Sequence, residues 1–196
     1  GAGVALNAVR DACGVMIGET VLVSGASGGL GWPTIQLAKL AGSTVIALTR
    51  SEKKIEALKE SGADEIVVMK RDGRFSARVR ELTEDEGVDV VIDNVGSRVF
   101  DECFDSLAFH GRYGLVGQLF GERAEINLAR IFFKRAKIIG VGSVSRAQLV
   151  DVVKLASAGQ IKPRIALELP LEEVSRAHEM VEAGEIVGRI VLRPNG

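Results

Sequence analysis

Two groups of residues in this 196-residue chain have the types and spacing to do chemistry. The first is Gly25-Ala26-Ser27-Gly28-Gly29-Leu30-Gly31, set between the apolar run Thr20-Val21-Leu22-Val23-Ser24 and a helical stretch. Positions without side chains let the backbone approach a pyrophosphate. The helix N-terminus beyond them offers unpaired N–H groups and the positive end of a dipole. Pro33 suits the first helical turn, where its missing N–H costs little. The second group stands about twenty residues on, at the end of a second apolar run, and comprises Thr49, Arg50, Ser51 and Lys54. A site for an unphosphorylated ribose places Asp or Glu there to take the 2′-hydroxyl. Here a guanidinium, two hydroxyls and an ammonium stand instead, groups that hold a 2′-phosphate by charge-assisted hydrogen bonds. Together the two groups predict NADPH in preference to NADH. The plainer alternatives are a glycine turn needed only for packing and a solvated helix start with Ser51 as N-cap.

The elements that must position these groups alternate along the chain. Strands are expected at 20–24, 44–48, 65–68, 88–92, 112–116 and 137–141, with helices at 29–41, 53–60, 75–82, 98–107 and 147–158. Val88 to Ile92 is continuously apolar, as a strand buried on both faces should be. This pattern predicts an α/β fold, a Rossmann-type doubly wound parallel six-stranded sheet. After Gly159 the character changes to a short β-α-β C-terminal tail: strand 164–169, helix 171–182 and strand 186–192, punctuated by Pro163 and Pro170. The expected division is a nucleotide-binding unit over residues 1–160, with a lead-in helix, and a C-terminal segment over 161–196.

Composition removes several function classes. The formal net charge is −1, so the non-specific phosphate attraction of nucleic-acid binders is missing. The basic stretch Lys70 to Arg74, with Arg78 and Arg80, lacks aromatics and adjoins Glu84-Asp85-Glu86; it reads as a solvated face. Cys13 and Cys103 stand far apart with no CxxC spacing, which argues against a disulfide framework or a local metal cluster. No apolar run is long enough to span a membrane and no secretory signal precedes the first strand, so a cytoplasmic protein is expected. Cys13, Cys103 and Tyr113 read as core residues, and neither His110 nor His178 sits where a catalytic base would be wanted. No catalytic residue and no metal ligand is assigned.

The loop alone is shared by two reductase families. The short-chain dehydrogenases/reductases need a Tyr-x-x-x-Lys pair, and here Tyr113 is followed four positions on by Gly117. The chain instead resembles the cofactor-binding portion of the medium-chain dehydrogenases/reductases. The likeness runs through Gly18 to Gly31, Ile35 to Lys39, Ser51 to Lys54, Ser61 to Asp64, Asp89 to Gly96, Gly111 to Gly117 and Gly188 to Leu192. Within that family the loop is similar to those of quinone oxidoreductases and acryloyl-CoA-type enoyl reductases. Zinc alcohol dehydrogenases more often carry Gly-x-Gly-Gly-x-Gly and a strand-end Asp.

The resemblance implies that Asn94, Val95 and Gly96 flank the nicotinamide ribose and that Gly117 and Gln118 lie near the nicotinamide. It also implies a separate N-terminal domain that supplies most of the substrate pocket and, in zinc members, most of the metal ligands. That domain is not found ahead of Ala5, so the 196 residues alone are expected to bind cofactor without turnover. The function implied is NADPH-dependent hydride transfer to a polarised C=C bond of an enoyl thioester or quinone. The alternatives are the cofactor domain of a zinc-dependent alcohol dehydrogenase and a stand-alone nucleotide-binding module. Relatives of the family pair a sheet edge across a two-fold axis, and the uncharged run within Lys137 to Ser143 predicts a homodimer through that strand.

Overall fold

A computed structural model describes residues 1–194. A helix, α1 (Ala2–Leu6), runs into a π-helical turn (Asn7–Ala12) and leads to β1 (Thr20–Val23). Then follow α2 (Gly31–Leu40), β2 (Thr44–Thr49), α3 (Ile55–Glu60), β3 (Glu65–Val68), α4 (Ser76–Leu82) and β4 (Val88–Asp93). The second half holds α5 (Ser97–Asp105), β5 (Leu107–Leu115), α6 (Leu128–Lys134), β6 (Lys137–Gly140) and α7 (Arg146–Ser157). The tail is β7 (Ile165–Pro170), α8 (Val174–Glu182) and β8 (Arg189–Arg193).

Six parallel strands form one sheet in the order β3-β2-β1-β4-β5-β6. Its central strands are apolar on both faces because alternate side chains enter different cores. Val21, Val23, Val45, Ala47, Val90 and Ile92 point to the face covered by α1, α2 and α7. Leu22, Ile46, Leu48 and Val91 point to the other, against Val79 of α4 and Val99, Phe100 and Phe104 of α5. The register Val21↔Val45 and Val21↔Val90 keeps each set on its own side. The doubly wound sheet expected from the sequence is therefore present.

Several boundaries differ from the expected ones. The fifth strand begins at Leu107, not Arg112, and α5 stops at Asp105, because Leu107 already pairs with Val88. The residues between form a bulge in which His110 adopts φ +65°. The seven-residue helix α6 has no counterpart in the sequence reading; Asn127 caps it by accepting from Ala129 N at 3.0 Å. The last strand starts at Arg189, not Ile186, because Gly188 turns away at φ +95°. Helix α7 starts in a reciprocal capping box of Ser145 and Gln148.

The tail forms its own two-stranded parallel sheet, β7-β8. It is tied to the start of α2: Trp32 Nε1 donates to Lys162 O at 3.0 Å, and Arg164 lies 5.0 Å over the Trp32 ring. Residues 195–196 of the expected C-terminal segment lie outside the described residues. Among the described residues no helix is long and apolar enough to cross a membrane.

Candidate functional site at the strand-order reversal

Since all six strands run the same way, the loops after β1, β2, β4 and β5 open on one edge of the sheet. The chain winds outward from β1 to β3, then returns and winds the other way from β4 to β6. The loops after β1 and β4 therefore diverge to opposite faces and leave a crevice between them, the usual ligand position in open α/β sheets.

The glycine loop forms one wall. Its tight turn closes with Gly28 N donating to Gly25 O at 3.0 Å, and Trp32 N of α2 donates to Gly28 O at 3.0 Å. Gly31 is held against this turn: a Cβ there would stand 2.3 Å from Gly25 O and 2.5 Å from Ala26 Cα. Only glycine allows the helix start to come that close, so Gly31 brings the N-terminus of α2, with the positive end of its dipole, to the crevice. Ala26 is buried beneath the turn, while Ser27, Gly28 and Gly29 are half-buried and Leu30 packs partly against the core.

At the end of β2 the predicted cations come together with the loop. Lys54 Nζ donates to Ser27 Oγ at 3.2 Å and to Ile186 O at 3.1 Å, and Arg50 is exposed beside it. Partial burial, and after it the charge of Arg50, hold the Lys54 ammonium below its usual range. An anion placed between Lys54 and Arg50 offsets the repulsion between them. Thr49 is turned inward instead: its hydroxyl accepts from Ser51 N at 3.2 Å and shapes the turn. Ser51 starts a 3₁₀ turn over Glu52–Lys54 without making a side-chain capping bond.

The turn after β4 meets both neighbours. A Cβ on Gly25 would touch Asn94 and Val95 at 3.3 Å, so the first loop glycine and this turn lie in contact. Gly96 takes φ +94°, and a Cβ there would stand 1.9 Å from Gln118 Oε1 and 2.9 Å from Gly117 O. Asn94, Val95, Gly96, Gly117 and Gln118 thus form one cluster. The Gln118 side chain is engaged there, its Oε1 accepting from Ser97 N at 2.9 Å at the start of α5. Asn94 Oδ1 is buried and without a hydrogen-bond partner.

Arg189 is the feature that sequence reasoning misses. Gly28 and Gly188 form a parallel bridge, Gly188 N donates to Ser27 O at 2.8 Å, and the Arg189 guanidinium donates to Gly29 O at 3.1 Å. The arginine therefore stands on the glycine loop, from a residue far away in sequence. The only signal was a basic residue directly after Gly188, in a segment that reads as an ordinary strand.

A cradle of side-chain-free positions, a helix start and three cations, Arg50, Lys54 and Arg189, fits a phosphorylated dinucleotide. Among the described residues no group of three or more His, Cys, Asp or Glu is arranged to hold a metal. Cys13 is buried beneath Gly114, its thiol pushed up to about 11 by burial, and Cys103 is buried in the opposite core. His110 lies in the bulge at the far end of β5 and His178 is exposed on α8.

Comparison with known proteins places the chain among dehydrogenases and reductases. A family model described as zinc-binding dehydrogenase matches residues 29–158. An acryloyl-coenzyme A reductase of Sulfurisphaera tokodaii is 35% identical over 193 residues, which are 98% of this chain and 56% of that protein. An NAD-dependent alcohol dehydrogenase of Saccharolobus solfataricus is 34% identical over 178 residues, 90% of this chain and 51% of its own length. The solved structure of mycobacterial Rv1454c complexed with NADPH superposes with a TM-score of 0.88 at 28% identity, covering 98% of this chain and 63% of that one. The chain spans about half the length of the curated relatives it matches.

The approach at Gly31 has a direct test. Gly31→Ala should lower unfolding free energy by about 1–3 kcal/mol in urea titrations, because the methyl meets backbone on two sides. An unchanged midpoint would contradict the close contact.

Proposed function

Because the chain belongs to the zinc-binding dehydrogenase family, as the cofactor-binding portion of a medium-chain dehydrogenase/reductase, we propose that it holds NADPH for hydride transfer to a polarised C=C bond. The substrate class is an α,β-unsaturated thioester or a quinone. The observation that carries the cofactor reading is the convergence of the glycine loop, the Arg50–Lys54 pair and turn 94–96 at the reversal of strand order. Similarity to an acryloyl-coenzyme A reductase supports the substrate class.

In this reading the start of α2 and Arg189 take the pyrophosphate, and Arg50, Lys54 and Ser51 take the 2′-phosphate. Asn94, Val95 and Gly96 flank the nicotinamide ribose, and Gly117 and Gln118 face the nicotinamide end. When bound, the nicotinamide supplies the hydride; the protein orients it and sets the field around it. Residues 1–160 form the nucleotide-binding unit, and the tail from 161 completes its phosphate side while presenting β7 and β8 to the remainder of a longer protein. The 196 residues alone bind cofactor without turnover, because hydride transfer needs a second wall that holds the substrate at about 3–3.5 Å.

A second reading, an NAD-dependent alcohol dehydrogenase acting on carbonyls, is favoured by the relative from Saccharolobus solfataricus. Cofactor preference separates the two. Calorimetric titration should give at least about tenfold tighter binding of NADPH than of NADH, the effect of one or two charge-assisted contacts. Arg50→Asp should move the preference toward NADH. Equal affinities, or tighter NADH, would overturn the first reading.

We also propose a two-fold dimer through β6, the last strand of the sheet, whose outer edge has no partner strand among the described residues. Ile138 is partly exposed on it, and Phe132 and Phe133 of α6 stand exposed nearby. Symmetric edge pairing satisfies the open backbone groups and closes at two subunits. Light scattering at micromolar concentration should report a dimer, and Ile138→Lys, which sets like charges at the shared edge, should report a monomer. A monomeric parent chain would rule the interface out.

A further inference from the structure

The proposed function leaves unused the one fully buried carboxyl group among the described residues. Asp93, at the end of β4, is fully buried, and no cation contacts it among the described residues. Four neutral donors converge on its carboxylate instead. Ser24 Oγ donates at 2.5 Å, Val95 N at 2.9 Å, Gly96 N at 3.1 Å and the Tyr113 hydroxyl at 2.8 Å. The Asp93 carbonyl accepts from Val116 N at 2.9 Å and from Gly117 N at 3.2 Å.

A carboxylate neutralised only by neutral groups is an expensive way to fill a core. Its partners show what it accomplishes. Ser24 ends β1 and precedes the glycine loop, and its hydroxyl accepts from Asn94 N at 2.9 Å. Val95 and Gly96 are the turn after β4. Tyr113 belongs to β5, whose end carries Gly117 and Gln118. Burial above all, and then Cys103 and Asp93, push the Tyr113 phenol far above its usual range, so it stays a donor. Phe100 and Phe104 pack around its ring, at centroid distances of 5.1 and 6.4 Å. The Arg50–Lys54 pair lies at the end of β2, on the far side of β1, and takes no part in this network.

We propose that Asp93 is a positioning residue for the nicotinamide half of the cofactor, acting through Tyr113 to lock turn 94–96 against the end of β5. This rests on the dinucleotide reading above. The Tyr113 hydroxyl bonds Asp93 from the β5 side, whereas the phosphate half, built from the glycine loop, Arg50, Lys54 and Arg189, adjoins the network only through Ser24. Loss of the Tyr113 tie therefore weakens ligands that carry a nicotinamide and spares those that lack one.

Titrating wild type and Tyr113→Phe with NADPH and with 2′-phospho-ADP-ribose tests this. The variant should bind NADPH about tenfold more weakly, the equivalent of one hydrogen bond, and 2′-phospho-ADP-ribose within about twofold of wild type. Equal weakening of both ligands, or of neither, overturns the proposal while leaving the cofactor reading intact. A wild-type chain that binds neither ligand overturns both. Should the variant not fold, the single tyrosine of the chain gives a second measurement on the native sequence. With 3-fluorotyrosine incorporated, its lone fluorine resonance should move on adding NADPH and stay in place on adding 2′-phospho-ADP-ribose. A resonance that moves equally with both, or with neither, sinks the proposal.

Discussion

The ladder between β1 and β4 is the interaction on which the rest of this molecule depends. It joins strands separated by three crossovers, in the register Val21↔Val90, Leu22↔Val91 and Val23↔Ile92. Because both strands are buried on both faces, neither tolerates a one-residue slip without moving its side chains into the wrong core. This pairing fixes the edge from which the glycine loop and turn 94–96 emerge. It also fixes their divergence to opposite faces, and hence the crevice between them. The contact between Gly25 and Asn94 follows from the pairing and needs no separate device.

The tail adds a second constraint. A parallel bridge from Gly188 to Gly28, the Lys162 carbonyl under Trp32 and Gln36, and the bond from Lys54 to Ile186 O fasten it to the loop and the start of α2. Each contact lands on the glycine loop, on α2 or on Lys54 after β2. The last strand therefore brings Arg189 onto a loop formed near the beginning of the chain. Truncation before Gly188 would remove one of the three cations of the proposed phosphate site.

Much of this was legible in the sequence because it is written in local periodicity. The continuous apolar runs of β1, β2 and β4 and the glycine loop between a strand and a helix need no tertiary information to be read. The strand-end Arg50 and Lys54 could be named for the same reason, since the end of the second strand is a fixed position in such a fold. Features that depend on distant partners were not legible. The bulge at His110 arises from Leu107 pairing with Val88, and helix α6 exposes its phenylalanines, so no amphipathic stripe marks it. Nor did the sequence show that the Thr49 hydroxyl accepts from Ser51 N or that Gln118 Oε1 accepts from Ser97 N. Arg189 acquires its place only through the bridge at Gly188.

The central claim, that the carboxyl edge of the sheet at the β1/β4 reversal holds a phosphorylated nicotinamide dinucleotide, is most directly tested by following backbone amide resonances during titration with NADPH. The account predicts shifts concentrated at residues 25–31, 50–54, 94–97, 117–118 and 188–189. Resonances at the opposite edge, around Phe109 and Phe132 to Ala136, should stay in place. Shifts centred on that opposite edge, or no shift at the glycine loop at saturating NADPH, would contradict it.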